Sequence, residues 1–148
     1  MSDVKLNLFQ RIGLELLWGF SRMMHFMPRW VRFGLFQPFV YVLFRIVGYR
    51  RRMVLQNLRG SFPEKSDKQI RQIMRKFYGF LAEIVVDTVS LAGAKPTDKE
   101  RYIMWDNGEE HRQRVVGRDW IAMAAHFGCW EYFMLWAWYL DADFMAVY

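Results

Sequence analysis

Apolar residues in the first 47 positions recur at helical spacing, and single charges interrupt them at Arg11, Glu15, Arg22, Arg29, Arg32 and Arg45. This pattern predicts two amphipathic helices, roughly over 4–27 and over 29–47 around Pro38. The longest uncharged run, FGLFQPFVYVLF (33–44), is twelve residues long. A spanning helix needs about 20 apolar residues, and a proline in the run is expected to break it. No apolar stretch leads to a small-residue cleavage site, which argues against secretion. The two helices are therefore expected to lie in a membrane interface, with arginines reaching the headgroups. Packing on another part of the protein is the alternative.

Further along, Val54, Leu55 and Leu58 give YRRRMVLQNLRGSFPE (49–64) a helical period that stops at Gly60 and Pro63. Ser66 and Gln69 form a capping-box start. The helix they open carries Ile70, Ile73, Met74, Phe77, Leu81, Ile84 and Val85 on one stripe and ends near Gly93, with Pro96 beyond. Glu83 and Asp87, one turn apart on it, read as a polar face rather than a metal pair. Thr97 to Glu100 resembles a second capping box, RYIMW (101–105) is strand-like, and Asn107-Gly108 signals a turn. EEHRQRVV (109–116) reads as a short helix closed by Gly117, WIAMAA (120–125) as a strand, CWEYFMLWAWYL (129–140) as a helix and DFMAVY (143–148) as strand-like. Strand–helix–strand order in the final third predicts an α/β fold: a membrane-associating helical segment over 1–48, then the start of an α/β domain over 49–148. The last strand is left with an open apolar edge, so this sheet is expected to be incomplete.

Charge and composition sharpen the picture. Residues 1–60 hold ten Lys/Arg against two acids, whereas residues 61–148 hold eleven against thirteen. A basic, aromatic-rich half calls for an anionic surface, either nucleic acid or a phospholipid leaflet. Nucleic acid is the weaker of the two, because the basic residues sit within apolar helices and no recognisable binding motif appears. Seven Trp, thirteen Phe and ten Met suit broad apolar contact surfaces, buried or lipid-facing. The single cysteine, Cys129, excludes an internal disulfide and fits a reducing compartment.

The candidate chemistry lies in AMAAHFGCWE (122–131). His126 and Glu131 are five positions apart, which on one helix separates them by about 140°. If a strand ends at residue 125 and a helix begins at 129, Gly128 supplies the turn. His126 then sits at the strand exit and Glu131 in the first helical turn, where the dipole favours the ionised carboxylate. Such a pair can take a proton from an alcohol. Cys129 as a nucleophile paired with His126 is the lesser alternative, and His126, Cys129 and Glu131 fall short of an ordinary zinc set. His111, flanked by Arg112 and Arg114, reads as a surface residue, and His25 as part of the first amphipathic helix. Arg50, Arg51 and Arg52 bind phosphate or form a solvated face.

Taken together, the apolar basic N-terminal segment, RRRMVLQNLRGSFPEKS (50–66) and HFGCWE (126–131) resemble the bacterial lipid A biosynthesis acyltransferases, the lauroyl/myristoyl branch of the lysophospholipid acyltransferase superfamily. The second stretch matches through Asn57, Leu58, Phe62, Pro63 and Glu64, and the third is an H-x-x-x-x-D/E box with Cys129 where the family commonly has Asn. The resemblance implies an acyltransferase-type αβ sandwich, of which this chain is expected to be an N-terminal portion. It implies an acyl-carrier-protein thioester as donor and a hydroxyl of a lipid A precursor as acceptor, at the cytoplasmic face of the inner membrane. His126 becomes the general base and Glu131 the group that orients the imidazole; neither a cofactor nor a metal is implied. Gly128 gives backbone room, Trp130 packs the acyl chain or the sheet, and Arg50, Arg51 and Arg52 meet an anionic glycolipid or leaflet.

Overall fold

Asn7 opens the first helix by a reciprocal cap: its side-chain oxygen accepts the Gln10 N–H at 2.8 Å, and Gln10 returns a side-chain acceptor to the Asn7 N–H at 2.9 Å. This helix, α1 (Leu8–Phe26), ends just ahead of Pro28, which disfavours helical geometry at the residue before it. The structure is a computed structural model that describes residues 7–104, 106–123 and 129–140.

The second helix, α2 (Arg29–Val47), runs straight through the proline expected to break it. Residues Arg32–Phe36 form a π-turn, in which the Gln37 N–H donates to the carbonyl of Arg32. Proline has no N–H, and its ring collides with the carbonyl four residues earlier in an α register. One widened turn just before Pro38 absorbs both problems and lets the helix continue. The result is 19 residues long, the one described helix of sufficient length and apolarity to cross a membrane. Gly48, in the left-handed region at φ +65°, closes it, and its N–H caps the Phe44 carbonyl at 3.0 Å.

After this cap comes α3 (Arg51–Ser61), which runs through Gly60, the first of the two expected stops, and ends at Phe62, just before the second, Pro63. The longest helix, α4 (Asp67–Ala92), starts with the predicted box: the Ser66 N–H meets Gln69 Oε1 at 2.9 Å. Its buried line is Ile70, Met74, Tyr78, Ala82, Val86 and Ser90, at uniform four-residue steps. Each step rotates the line by about 40°, so it winds around the helix instead of running straight. Phe77, expected inside, is therefore exposed, and Tyr78 takes its place with its hydroxyl donating to the Tyr49 carbonyl at 2.6 Å.

Two units emerge, residues 26–89 and residues 1–25 with 90–148. Within the first, Phe44 of α2 stacks on Tyr49 at 5.4 Å and approaches Tyr78 of α4 at 6.3 Å. Within the second, Gly93 lies so close to α1 that a Cβ there would fall 2.2 Å from the Ser21 carbonyl oxygen. A 3-10 helix follows at Pro96–Arg101, then α5 (Gly108–Val115), then a 3-10 helix at Trp130–Leu135 leading into α6 (Trp136–Leu140). Leu135 and Leu140 are the buried apolar anchors of that last segment.

The expected α/β class is overturned: every regular element among the described residues is a helix or helical turn, and none is a strand. Arg101 belongs to a 3-10 helix, and residues 103–104 and 120–123 have no regular structure. The expected strand residues 105, 124–125 and 143–148 lie outside the described residues. A strand is held by its neighbour's ladder, and a short apolar run fits strand or irregular chain equally well by period. Ile121 and Met123 are 93% and 94% exposed, so neither contributes to a sheet face that something covers.

Candidate functional site

His126 and Gly128 lie outside the described residues, so the structure describes the carboxylate side of the predicted pair. Glu131 occupies the first turn of the Trp130–Leu135 helix, as expected, and is half-buried. The thiol of Cys129 donates to Glu131 Oε2 at 3.2 Å. This contact assigns Cys129 a role the sequence did not suggest, since it holds one carboxylate oxygen at the start of the turn. Trp130 is 48% exposed, and no sheet among the described residues receives it. Tyr132 and Phe133, next along the turn, engage Tyr102 at 5.8 Å and Trp136 at 4.1 Å, which fixes the helix that carries Glu131.

The three arginines at 50–52 fall in the other unit. Arg50 is the residue just before α3, in the left-handed region at φ +48°. A non-glycine residue there costs roughly 1 kcal/mol, and the turn from Gly48 to Arg51 imposes it. Its guanidinium lies 5.9 Å from the Tyr49 ring. Arg51 and Arg52 open the helix itself and are exposed. Cations at a helix start oppose the dipole, so their placement adds nothing to helix stability and leaves their charge available to an anion.

One polar cluster escaped the sequence reading. His25, buried at 1% exposure near the end of α1, has Nδ1 at 2.5 Å from the Tyr102 hydroxyl and Nε2 at 3.2 Å from Asp98 Oδ2. Arg101 Nη1 approaches the same Nε2 at 3.4 Å. Tyr102 donates to the Ser90 carbonyl at 3.1 Å, which leaves its oxygen to accept from the imidazole. Arg22 ties the cluster to the chain by donating to the Gly93 carbonyl at 2.7 Å, with Asp98 at 3.4 Å. Asp98 is held below the ordinary carboxylate range, first by the Lys95 backbone N–H and then, against some desolvation, by His25 and Arg22. That N–H contact, 2.9 Å long, is the cap of the Pro96–Arg101 helix. The cap partner is thus Asp98, three residues after Lys95, and not the Thr97/Glu100 pair the sequence suggested. With no exposed face on His25, this cluster joins α1 to the 96–102 segment and does not present a base to substrate.

A family model described as bacterial lipid A biosynthesis acyltransferase matches residues 3–144. No curated protein and no solved structure matches the chain.

Proposed function

The chain belongs to the bacterial lipid A biosynthesis acyltransferase family, and on that premise we propose that it moves a fatty acyl chain from an acyl-carrier-protein thioester to a hydroxyl of a lipid A precursor. Membership sets acyl transfer as the class of activity. The observation that carries the finer reading is the extent of the match, which includes the whole of HFGCWE.

In the proposed step, the imidazole of His126 removes the acceptor hydroxyl proton as its oxygen attacks the thioester carbonyl. The tetrahedral intermediate collapses, the thiolate leaves, and the imidazolium returns the proton to it. Glu131 orients the ring and stabilises its charged form, as the acid does in a hydrolase triad. A half-buried carboxylate at the first turn of a helix, partnered by a thiol, supports that role for Glu131. Arg50, Arg51 and Arg52 are assigned to the anionic part of the acceptor or to the leaflet around it.

The proposed setting is the cytoplasmic face of the inner membrane, with α1 and α2 in the interface. Exposed Leu8, Phe9, Leu16, Trp30, Phe39 and Ile46 support the interfacial placement of the two helices. A non-catalytic membrane module is the competing reading, and it rests on the same exposed residues.

The test is acyl transfer by the protein from acyl-carrier-protein thioester to a hydroxylated lipid A precursor. His126→Ala is expected to lower kcat by about 10²- to 10⁴-fold with vesicle binding retained. Glu131→Gln is expected to cause a smaller loss in kcat, with little change in KM. Undiminished turnover in His126→Ala would overturn the assignment of the base.

A further inference from the structure

Beside the Tyr78–Tyr49 contact, α2 and α4 enclose an open groove of about 500 Å³ lined by Tyr41, Val42, Arg45, Ile46 and Arg75. Four of these come from one side of α2, at i, i+1, i+4 and i+5, and Arg75 faces them from α4. Val42 and Ile46 are 50% and 78% exposed, so the floor is a bare apolar strip with a guanidinium at each side.

Neither arginine has an acidic partner among the described residues. For Arg45 a local role exists, since a cation in the last turn of α2 complements the helix dipole. Arg75 has none. It stands in the interior of α4, one turn from Arg71 and next to Lys76, and no acid occurs between Asp67 and Glu83. Like charges one turn apart weaken a helix, and an ordinary solvated face intersperses acids with them. The charge of Arg51 adds to the field, since it and Arg45 both act on the Tyr78 hydroxyl, although burial still raises that group above its usual range.

We propose that this groove binds one anionic phospholipid, its phosphodiester held between Arg45 and Arg75 and an acyl chain lying along Val42 and Ile46. Guanidinium forks match phosphate oxygens in pairs, which an ammonium does not. The apolar strip selects an amphiphile over free phosphate, because an inorganic ion would leave Val42 and Ile46 wet. The open side selects a lipid drawn from the surrounding leaflet over a substrate that has to be enclosed for reaction. Position agrees, since an α2 lying in the interface carries its arginines, Arg45 among them, at the level of the headgroups.

The groove is independent of the acyl-transfer chemistry, and His126→Ala is expected to bind the lipid as the unaltered protein does. The experiment is a native mass spectrometry titration of the full 148-residue chain in non-ionic detergent with phosphatidylglycerol. At about 1 kcal/mol per arginine near a lipid phosphate, R45Q/R75Q is expected to weaken the first binding event by about 30-fold. R45K/R75K keeps the net charge and is expected to weaken it by about fivefold, through loss of the fork geometry. R59Q/R112Q removes two guanidinium groups that make exposed ion pairs elsewhere and is expected to bind normally. Normal affinity in either double variant at 45 and 75 would overturn the proposal. So would equal binding of phosphatidylcholine, which would indicate apolar adhesion alone. Displacement of the lipid by millimolar inorganic phosphate would overturn it in favour of a simple anion site.

Discussion

His25 sits in the second unit with both ring nitrogens facing partners, and the carboxylate among them, Asp98, also caps the helix that follows Lys95. The Asp98 side chain thus couples the helix start to the attachment of α1, which makes it the residue where acid should act. Its pKa is depressed in the folded chain, so its contribution is complete above the ordinary value of 3.8 and is lost as pH falls below that, through the lower folded value. Denaturant unfolding of the protein should therefore show a decline in stability beginning near pH 4 on the acid side. Asp98→Asn should lower stability at neutral pH and make that acid limb shallower, since the titrating group is gone. An unchanged limb in the variant would show that other carboxylates control it. The wider cluster was not legible in the sequence, because His25 and its partners Asp98 and Tyr102 are more than seventy positions apart and no local pattern links them.

At the scale of elements, Gly93 was legible as a helix stop, but its main constraint comes from α1. An added methyl would meet the Ser21 carbonyl oxygen at 2.2 Å and the Arg22 nitrogen at 2.6 Å, both backbone atoms that cannot move without shifting the helix. Gly93→Ala should cost about 1–3 kcal/mol, the usual range for overpacking. Gly60 offers the internal comparison: it lies within α3, and a methyl added there would meet nothing within 4 Å, so Gly60→Ala should stabilise by about 0.5–1 kcal/mol. Thermal melts of the two variants that moved in the same direction would refute the close-approach argument. The helices themselves were readable because period and capping chemistry are local: Ser66 with Gln69, Gly48 and Gly117 all do what their residue types suggest. The errors depended on geometry at longer range. A straight stripe along α4 ignores the rotation of its contact line, which is why Tyr78, Ala82 and Val86 are buried where Phe77, Leu81 and Val85 were expected. The strands failed for a related reason, since Ile121 and Met123 have the right residue types but no ladder partner among the described residues. Glu131 landed in its predicted helical turn, because an acid just after a break in the chain is again a local signal.

For the molecule as a whole, the question is what the exposed apolar surface of α1 and α2 meets. Removing residues 1–60 is a poor way to ask, because α1 has two different faces. Its last turns supply buried Ser21, Met24 and His25 to their unit, while Leu8, Phe9, Ile12, Leu16 and Leu17 remain exposed. A deletion would destroy the fold of that unit along with any membrane contact. Charged substitutions at largely solvated positions separate the two effects. Phe9 and Leu16 are 84% and 70% exposed, so Phe9→Asp with Leu16→Asp should leave the far-UV circular dichroism and melting temperature nearly unchanged. Each apolar side chain withdrawn from a lipid interface forfeits about 1.5–3 kcal/mol, so partition of the double variant onto phosphatidylglycerol vesicles should fall by at least about 100-fold. Salt provides the second axis. Between 0.1 M and 1 M the screening length contracts from about 10 Å to about 3 Å, which removes the attraction due to the basic N-terminal sixty residues but not the apolar term. Binding of the unaltered protein should thus weaken in 1 M salt and persist, whereas the double variant should lose what remains. Full vesicle binding by the variant at both salt concentrations would mean that α1 keeps its apolar face for a protein partner and that the membrane is held elsewhere.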